Sequence, residues 1–407
     1  MTRSIRLAFL ALGLAAVPLE CAEPETIQVT LDPGSHARVR TPVTLVLLCP
    51  DSLHGASAVA AELDDGKGAR IDRPVQVAAE GDQLTVWWVE PALAAGAPQQ
   101  RLLRLKPGRP PSRIEVADGF HFAKGPDWRQ LRFGDQPIWR RVFAFEPAHL
   151  DDTLRPYLHL FGFHEEGFVT KGLGGLYPHQ RGLFLGWEKT GFGGKTYDFW
   201  SCNGVVQRQT GFLDDRELAG PVLARDSART EWLAPDNQVV LRDTREYTTW
   251  HTAGMEFVLD VTLTLEAPNG PVKLDGDANH GGLQFRASNE VRGRALETSF
   301  LRNRGGKRLK GDAWEGLNWA TMIFHIGGHA YAVSDMSFPD NPRPTLFATR
   351  DYGRLGAFFA ATVEPGKPLV SRYRFLLQEV VLRSDVTGAT QAARYLDVAN
   401  PVLISIK

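Results

Sequence analysis

The sequence predicts an all-β protein, a large antiparallel β-sandwich preceded by a small Ig-like β-sandwich. Three observations carry this: apolar residues recur at every second position over many short runs, turn residues punctuate those runs, and helical periodicity is nearly absent. The 407 residues include 40 glycines and 26 prolines, which suits a chain that turns often. Hydrophobic residues make up 43%, enough to fill a core in each of two units.

Taken in order, residues 1–22 read as a secretory signal, with Arg3 and Arg6 before an apolar stretch from Leu7 to Val17. Cys21 offers a lipid attachment point, but Glu20 before it is a poor lipobox residue. No later run approaches the ~20 apolar residues of a membrane span. The expectation is an exported protein, periplasmic or extracellular, without transmembrane insertion. Residues 24–108 hold the runs TIQVTL, TPVTLVLLC, QLTVWWVE and QRLLRLK, the pattern of a small sandwich. The proline-rich KPGRPPSR, Lys106 to Arg113, reads as a linker. The large sandwich is expected over 113–407. Its clearest strand is MEFVLDVTLTLEA, where Phe257, Leu259, Val261, Leu263 and Leu265 share one side. Gly327 and Gly328 between ATMIFHI and AYAVSDM signal a tight hairpin, and TGATQAARYLDVA, ended by Asn400 and Pro401, is the best helical segment. Cys49 and Cys202 are too few for a disulfide framework and read as separately buried thiols.

Charge excludes one class of partner. With 46 basic and 47 acidic residues and no Lys/Arg block, the chain lacks the footprint of a nucleic-acid binder. No HExxH, paired CxxC or DxDxDG occurs, so no metal ligand set is assigned, and the absence of a P-loop, GxSxG or strand-turn-helix GxGxxG gives no reason to expect a cofactor.

Three stretches concentrate chemistry. In YPHQRGLFLGW, Pro178 stiffens a turn that carries His179, Arg181 is expected to share one face of the following strand with Leu183, Leu185 and Trp187, and EKTGFGGKTYDFWSCNG adds Asp198 and Trp200. A turn held by a scaffold suits an acid/base group, although a histidine capping a strand end gives the same pattern. In NHGGLQFRASNEV, following Asp277, alternation places His280, Gly282, Gln284 and Arg286 on one side. This is a row of directional hydrogen-bonding groups that either lines a site or faces water, and Gly281 and Gly282 leave room for a ligand or a crossing backbone. The third stretch, SDMSFPDNPRPTLFATRDYGRLGAFF, holds Asn341 in a proline-braced loop, then Arg350 and Tyr352. Imidazoles, guanidiniums, amides and carboxylates beside indoles form the mixture that binds sugar hydroxyls and ring faces.

At these residues the chain resembles an uncharacterised family of exported bacterial proteins called PmoA-like. The segments that carry the resemblance are RPYLHLFGFHEEGFVTKGLGGLYPHQRGLFLGW, YDFWSCNG, HGGLQFRASNEV and PDNPRPTLFATRDYGRLGAFF. One departure is Gln180, where that family commonly carries a second histidine. The methane-oxygenase label attached to the family does not suit a chain without membrane spans. The resemblance implies a β-sandwich akin to the supersandwiches of galactose mutarotases. The resulting expectation is a carbohydrate-active protein, either an enzyme working by hydrolysis, elimination or epimerisation or a non-catalytic polysaccharide binder. His179, His280, Asp198 and Asp277 are the candidate catalytic groups. Arg181, Trp187, Trp200, Gln284, Arg286, Asn341, Arg350 and Tyr352 are the candidates for holding a carbohydrate.

Overall fold

The computed structural model describes residues 25–54, 56, 58–108, 119–164 and 166–407, so the signal segment, Cys21 and most of the linker lie outside the described residues. The strand Glu256–Glu266 sets the frame. Its Phe257, Leu259, Val261, Leu263 and Leu265 are buried while Asp260, Thr262 and Thr264 are half-buried, as the alternation predicts. It pairs antiparallel with Val239–His251 on one side and Leu369–Glu379 on the other, in the middle of a nine-stranded sheet. A ten-stranded sheet faces it, with Leu183–Trp187, Gly281–Arg286 and Arg354–Phe358 among its central strands. Leu183, Leu185 and Phe285 from the second sheet meet Leu259, Leu263 and Phe375 from the first in one core. Each such side chain contributes about 1.5–3 kcal/mol by leaving water.

Local signals place the turns. The strands Trp319–Ile326 and His329–Ser337 are joined by Gly327 and Gly328, whose φ angles of 59° and 86° are those a two-residue hairpin of primed type requires. The C-terminal helix runs over Gly388–Ala399, started by a capping box between Thr387 and Thr390 and stopped at Asn400.

The small unit is a sandwich of a four-stranded and a three-stranded sheet around Val29, Leu45, Trp88 and Leu103. Its fourth strand is the end of the chain: Leu403–Ile406 pairs antiparallel with Glu25–Asp32. The large unit therefore gives up its last residues to the first. Trp87 packs with Trp250, Trp319 and Val398 between the units, and Arg38 donates to Asp397 at 3.0 Å. Cys49 and Cys202 are free thiols.

The expected polar row is not a surface. Every position of Gly281–Arg286 and of Leu183–Trp187 is buried, because the face of the ten-stranded sheet turned away from the core is itself covered. Phe184 packs there with Tyr157 and Trp200, and a Cβ at Gly186 would overlap the Phe199 carbonyl. This second layer holds the site.

Candidate functional site

The site is built around Trp200. Asp198 accepts hydrogen bonds from the backbone N–H groups of Trp200 (2.9 Å) and Ser201 (2.8 Å), which fixes the turn carrying the indole. Two histidines flank that ring edge-on, His179 and His280, each with its ring centroid 6.2 Å from the indole. His179 rides on a turn closed by the Gln180 N–H donating to the Tyr177 carbonyl at 2.9 Å. Tyr177 adopts a left-handed φ of 54°, an unfavourable conformation for a residue with a Cβ. His280 follows a second turn and is 48% exposed, its Nδ1 within 3.1 Å of the Asp277 carboxylate. Behind them the Arg354 guanidinium lies 5.4 Å from the Trp200 ring and 5.9 Å from that of Tyr352, donating to the carbonyl (2.5 Å) and Oδ1 (3.1 Å) of Asn279. Tyr352 and Tyr177 approach to 5.5 Å and complete the rim.

Of the residues singled out in the sequence, the structure brings His179, His280, Asp277 and Tyr352 to this mouth, with Trp200 and Arg286 fully buried beneath it. Asp198 is present as the turn-former beneath Trp200, with one carboxylate oxygen engaged by backbone. Arg350 stands at the margin, pairing with Asp312 at 3.4 Å, and with Asn279 it crowds Gly311. Arg181 is fully buried and ties the turn to an earlier loop, donating to the carbonyls of Pro178, Asp151 and Asp152. Trp187 belongs to the main core, its indole N–H donating to the Phe359 carbonyl at 2.9 Å. Gln284 is wholly buried and donates to the Gly281 carbonyl at 2.9 Å. Asn341 lies elsewhere, locking its loop to Arg372 and Ser337. The room at Gly282 is filled by backbone, since a Cβ there would overlap the Ala357 carbonyl.

Sequence reasoning missed Arg155, Lys171, Asn279 and Arg354. Arg354 carried a signal in hindsight: it is the register partner of Arg286, and two like charges set opposite each other across a strand pair are unfavourable unless something compensates them.

The electrostatics follow from this crowding. Burial, and then the nearby Arg155, Lys171 and Arg354 charges, lower the His179 pKa to about 3, so its ring is neutral at physiological pH. Lys171 is pushed down to about 8 by burial and by Arg286 and Arg181, although its ammonium donates to the carbonyls of Gly172, Tyr177 and Gln180. Burial is the main cause that brings Arg286 to about 10.

Among the described residues, two groups have ligand atoms close enough to hold a metal ion. Glu188, Asp277 and His280 form one at the edge of the mouth, where the Arg354 charge beside Asp277 opposes a cation. The other, His164, His329 and Glu379, lies apart from it. Both imidazoles meet the same Glu379 oxygen, at 3.0 and 2.9 Å, with their rings stacked 3.8 Å apart. Both nitrogens converge on that one oxygen, and the trio ties a loop to two strands.

A search among curated proteins returns no match. A family profile matches residues 129–393, a span that includes every side chain of the mouth. The chain belongs to this family, DUF6807, a family of unknown function.

Proposed function

We propose that the protein is an exported carbohydrate-active protein, in the manner suggested by its likeness to PmoA-like proteins, and that a sugar sits on the rim above Trp200, between His179 and His280. The observation that supports this reading is the convergence of two imidazoles and two phenols, those of His179, His280, Tyr177 and Tyr352, on one rim above the buried Trp200 indole. Aromatic faces take the C–H side of a pyranose, and the polar groups take its hydroxyls.

The two histidines have different parts. His179, neutral and weakly basic, accepts a hydrogen bond from a sugar hydroxyl and orients the ring. His280 is the proton carrier: with Nδ1–H held by Asp277, its Nε2 is free to accept a proton from the substrate, and the carboxylate stabilises the imidazolium that forms. Proton abstraction at a sugar carbon, as in epimerisation or elimination, fits this pair.

Turnover of a panel of oligosaccharides by the full chain, its His280→Ala variant and its His179→Ala variant tests the proposal. His280→Ala is expected to lose about 10²–10⁴-fold in kcat, while His179→Ala chiefly raises KM. Saccharide binding with no turnover in the unsubstituted protein would instead assign it as a non-catalytic glycan binder, and neither binding nor turnover would remove the carbohydrate reading.

A further inference from the structure

Ten lysine and arginine side chains are buried, and they divide into two sets. Arg38, Arg101, Arg129, Arg141 and Arg245 each meet a carboxylate within 3.0 Å. Arg155, Lys171, Arg181, Arg286 and Arg354 are equally buried, and none meets a carboxylate within salt-bridge distance among the described residues. The second set is gathered in one place, beneath the mouth. Arg286 and Arg354 are cross-strand partners, the Lys171 N–H donates to the Arg286 carbonyl at 2.9 Å, and Arg155 donates to the Trp200 carbonyl and to Cys202 Sγ.

A buried charge without a counter-ion is costly, which is why the first set is paired. In the second set backbone carbonyls satisfy many of the donors, but a carbonyl is neutral and leaves the net charge in place. Nε and Nη2 of Arg286 and Nε of Arg354 have no hydrogen-bond partner at all among the described residues. The nearest acidic groups do not answer the excess. Asp198 is engaged by two backbone N–H groups, Asp152 is exposed, and Asp277 is 56% exposed and turned to His280.

We infer that the ligand of this mouth is an anionic saccharide, a uronate or a sulfated sugar, whose carboxylate or sulfate supplies the missing negative charge beside Arg354 and Tyr352. The inference rests on the carbohydrate reading above and narrows it to a substrate class. The Arg354 guanidinium lies buried between the Trp200 and Tyr352 rings, and its uncompensated charge attracts a carboxylate or sulfate on a sugar that rests on the Tyr352 rim.

The test uses the full chain and matched pairs of probes: polygalacturonate against its methyl ester, and dextran sulfate against dextran, with inorganic sulfate as a third arm. At least one acidic polymer is expected to raise the Tm and to bind at least about tenfold more tightly than its neutral counterpart, with affinity falling as salt is added. Which of the two does so separates carboxylate from sulfate recognition. Arg354→Gln is expected to abolish the preference; if that variant does not fold, the rim variant Tyr352→Ala and the salt dependence of the unsubstituted protein give the same readout. Equal affinity for acidic and neutral partners would overturn the inference and leave the carbohydrate reading standing. Inorganic sulfate binding as tightly as any polymer would support an anion site while overturning the sugar, and no binding to any probe would overturn both.

Discussion

His179 and Arg181 stand two residues apart on one turn and have opposite fates. The imidazole reaches the mouth, while the guanidinium turns inward to three carbonyls, two of them from Asp151 and Asp152. Residue type nominated both for a polar site; only the folded position of the short helix Leu150–Thr153 separates them, and no local pattern encodes that. The depressed pKa of His179 gives a direct prediction. In an NMR titration its ring is expected to remain neutral at pH 5 and to protonate near pH 3, the value imposed by burial and the adjoining cations. An unfolded histidine titrates near 6.5. Between those pH values the unfolded chain binds a proton that the folded ring refuses, so stability falls as pH drops through this window. His179→Gln is expected to flatten that decline, measured by urea unfolding at pH 7 and pH 4. His159, also lowered to about 3 by burial and by Arg140, accounts for part of the remaining slope. Lys171 acts at the other end of the scale. Its lowered pKa means that the fold gains stability as pH rises from about 8 toward 10.5, where the unfolded chain still holds the proton.

At the scale of strands, alternation was legible wherever one face meets the core and the other meets water, as in Glu256–Glu266. It misled in Gly281–Arg286. The period there was right, but both faces are covered, so the side read as a polar row is an inner layer holding Gln284 and Arg286. What covers it comes from residues 155, 170–180 and 198–202, far away in sequence, so the strand's own residues could not report it. The close approach of this strand to Arg354–Phe358 predicts the effect of one methyl group. Gly282 has a φ of 83° and abuts the Ala357 carbonyl, so Gly282→Ala must part the two strands. A loss of roughly 3 kcal/mol or more is expected in chemical denaturation, comparable to other substitutions that combine overpacking with backbone strain. Because Asn279 and Arg354 lie on either side of that seam, saccharide affinity is expected to fall even under conditions where the variant stays folded.

For the whole molecule, the near-zero net charge was readable from composition. The sorting of that charge was not. Balanced totals conceal a fold in which some buried arginines sit on carboxylates and others cluster without them. The joint between the two units rests on the paired kind. Asp397, in the C-terminal helix, accepts from Arg38 at 3.0 Å and lies 3.2 Å from His36, both in the small unit. Asp397→Ala strands Arg38 without its counter-ion, and a loss of about 3–5 kcal/mol is expected by calorimetry or denaturant unfolding. Leu223, Trp250 and Met336, on the large unit's side of that joint, are expected to gain hydrogen exchange at their backbone amides.

The pairing of Leu403–Ile406 with Glu25–Asp32 has a bearing on the order of assembly. A ribosome emits Glu25–Asp32 first, and its edge partner Leu403–Ile406 only after the whole large unit between them. For the whole interval of synthesis between them, Glu25–Asp32 presents a row of open backbone groups to any passing strand. Only when the tail returns is that edge sealed, and the ring formed by the two units closes behind it.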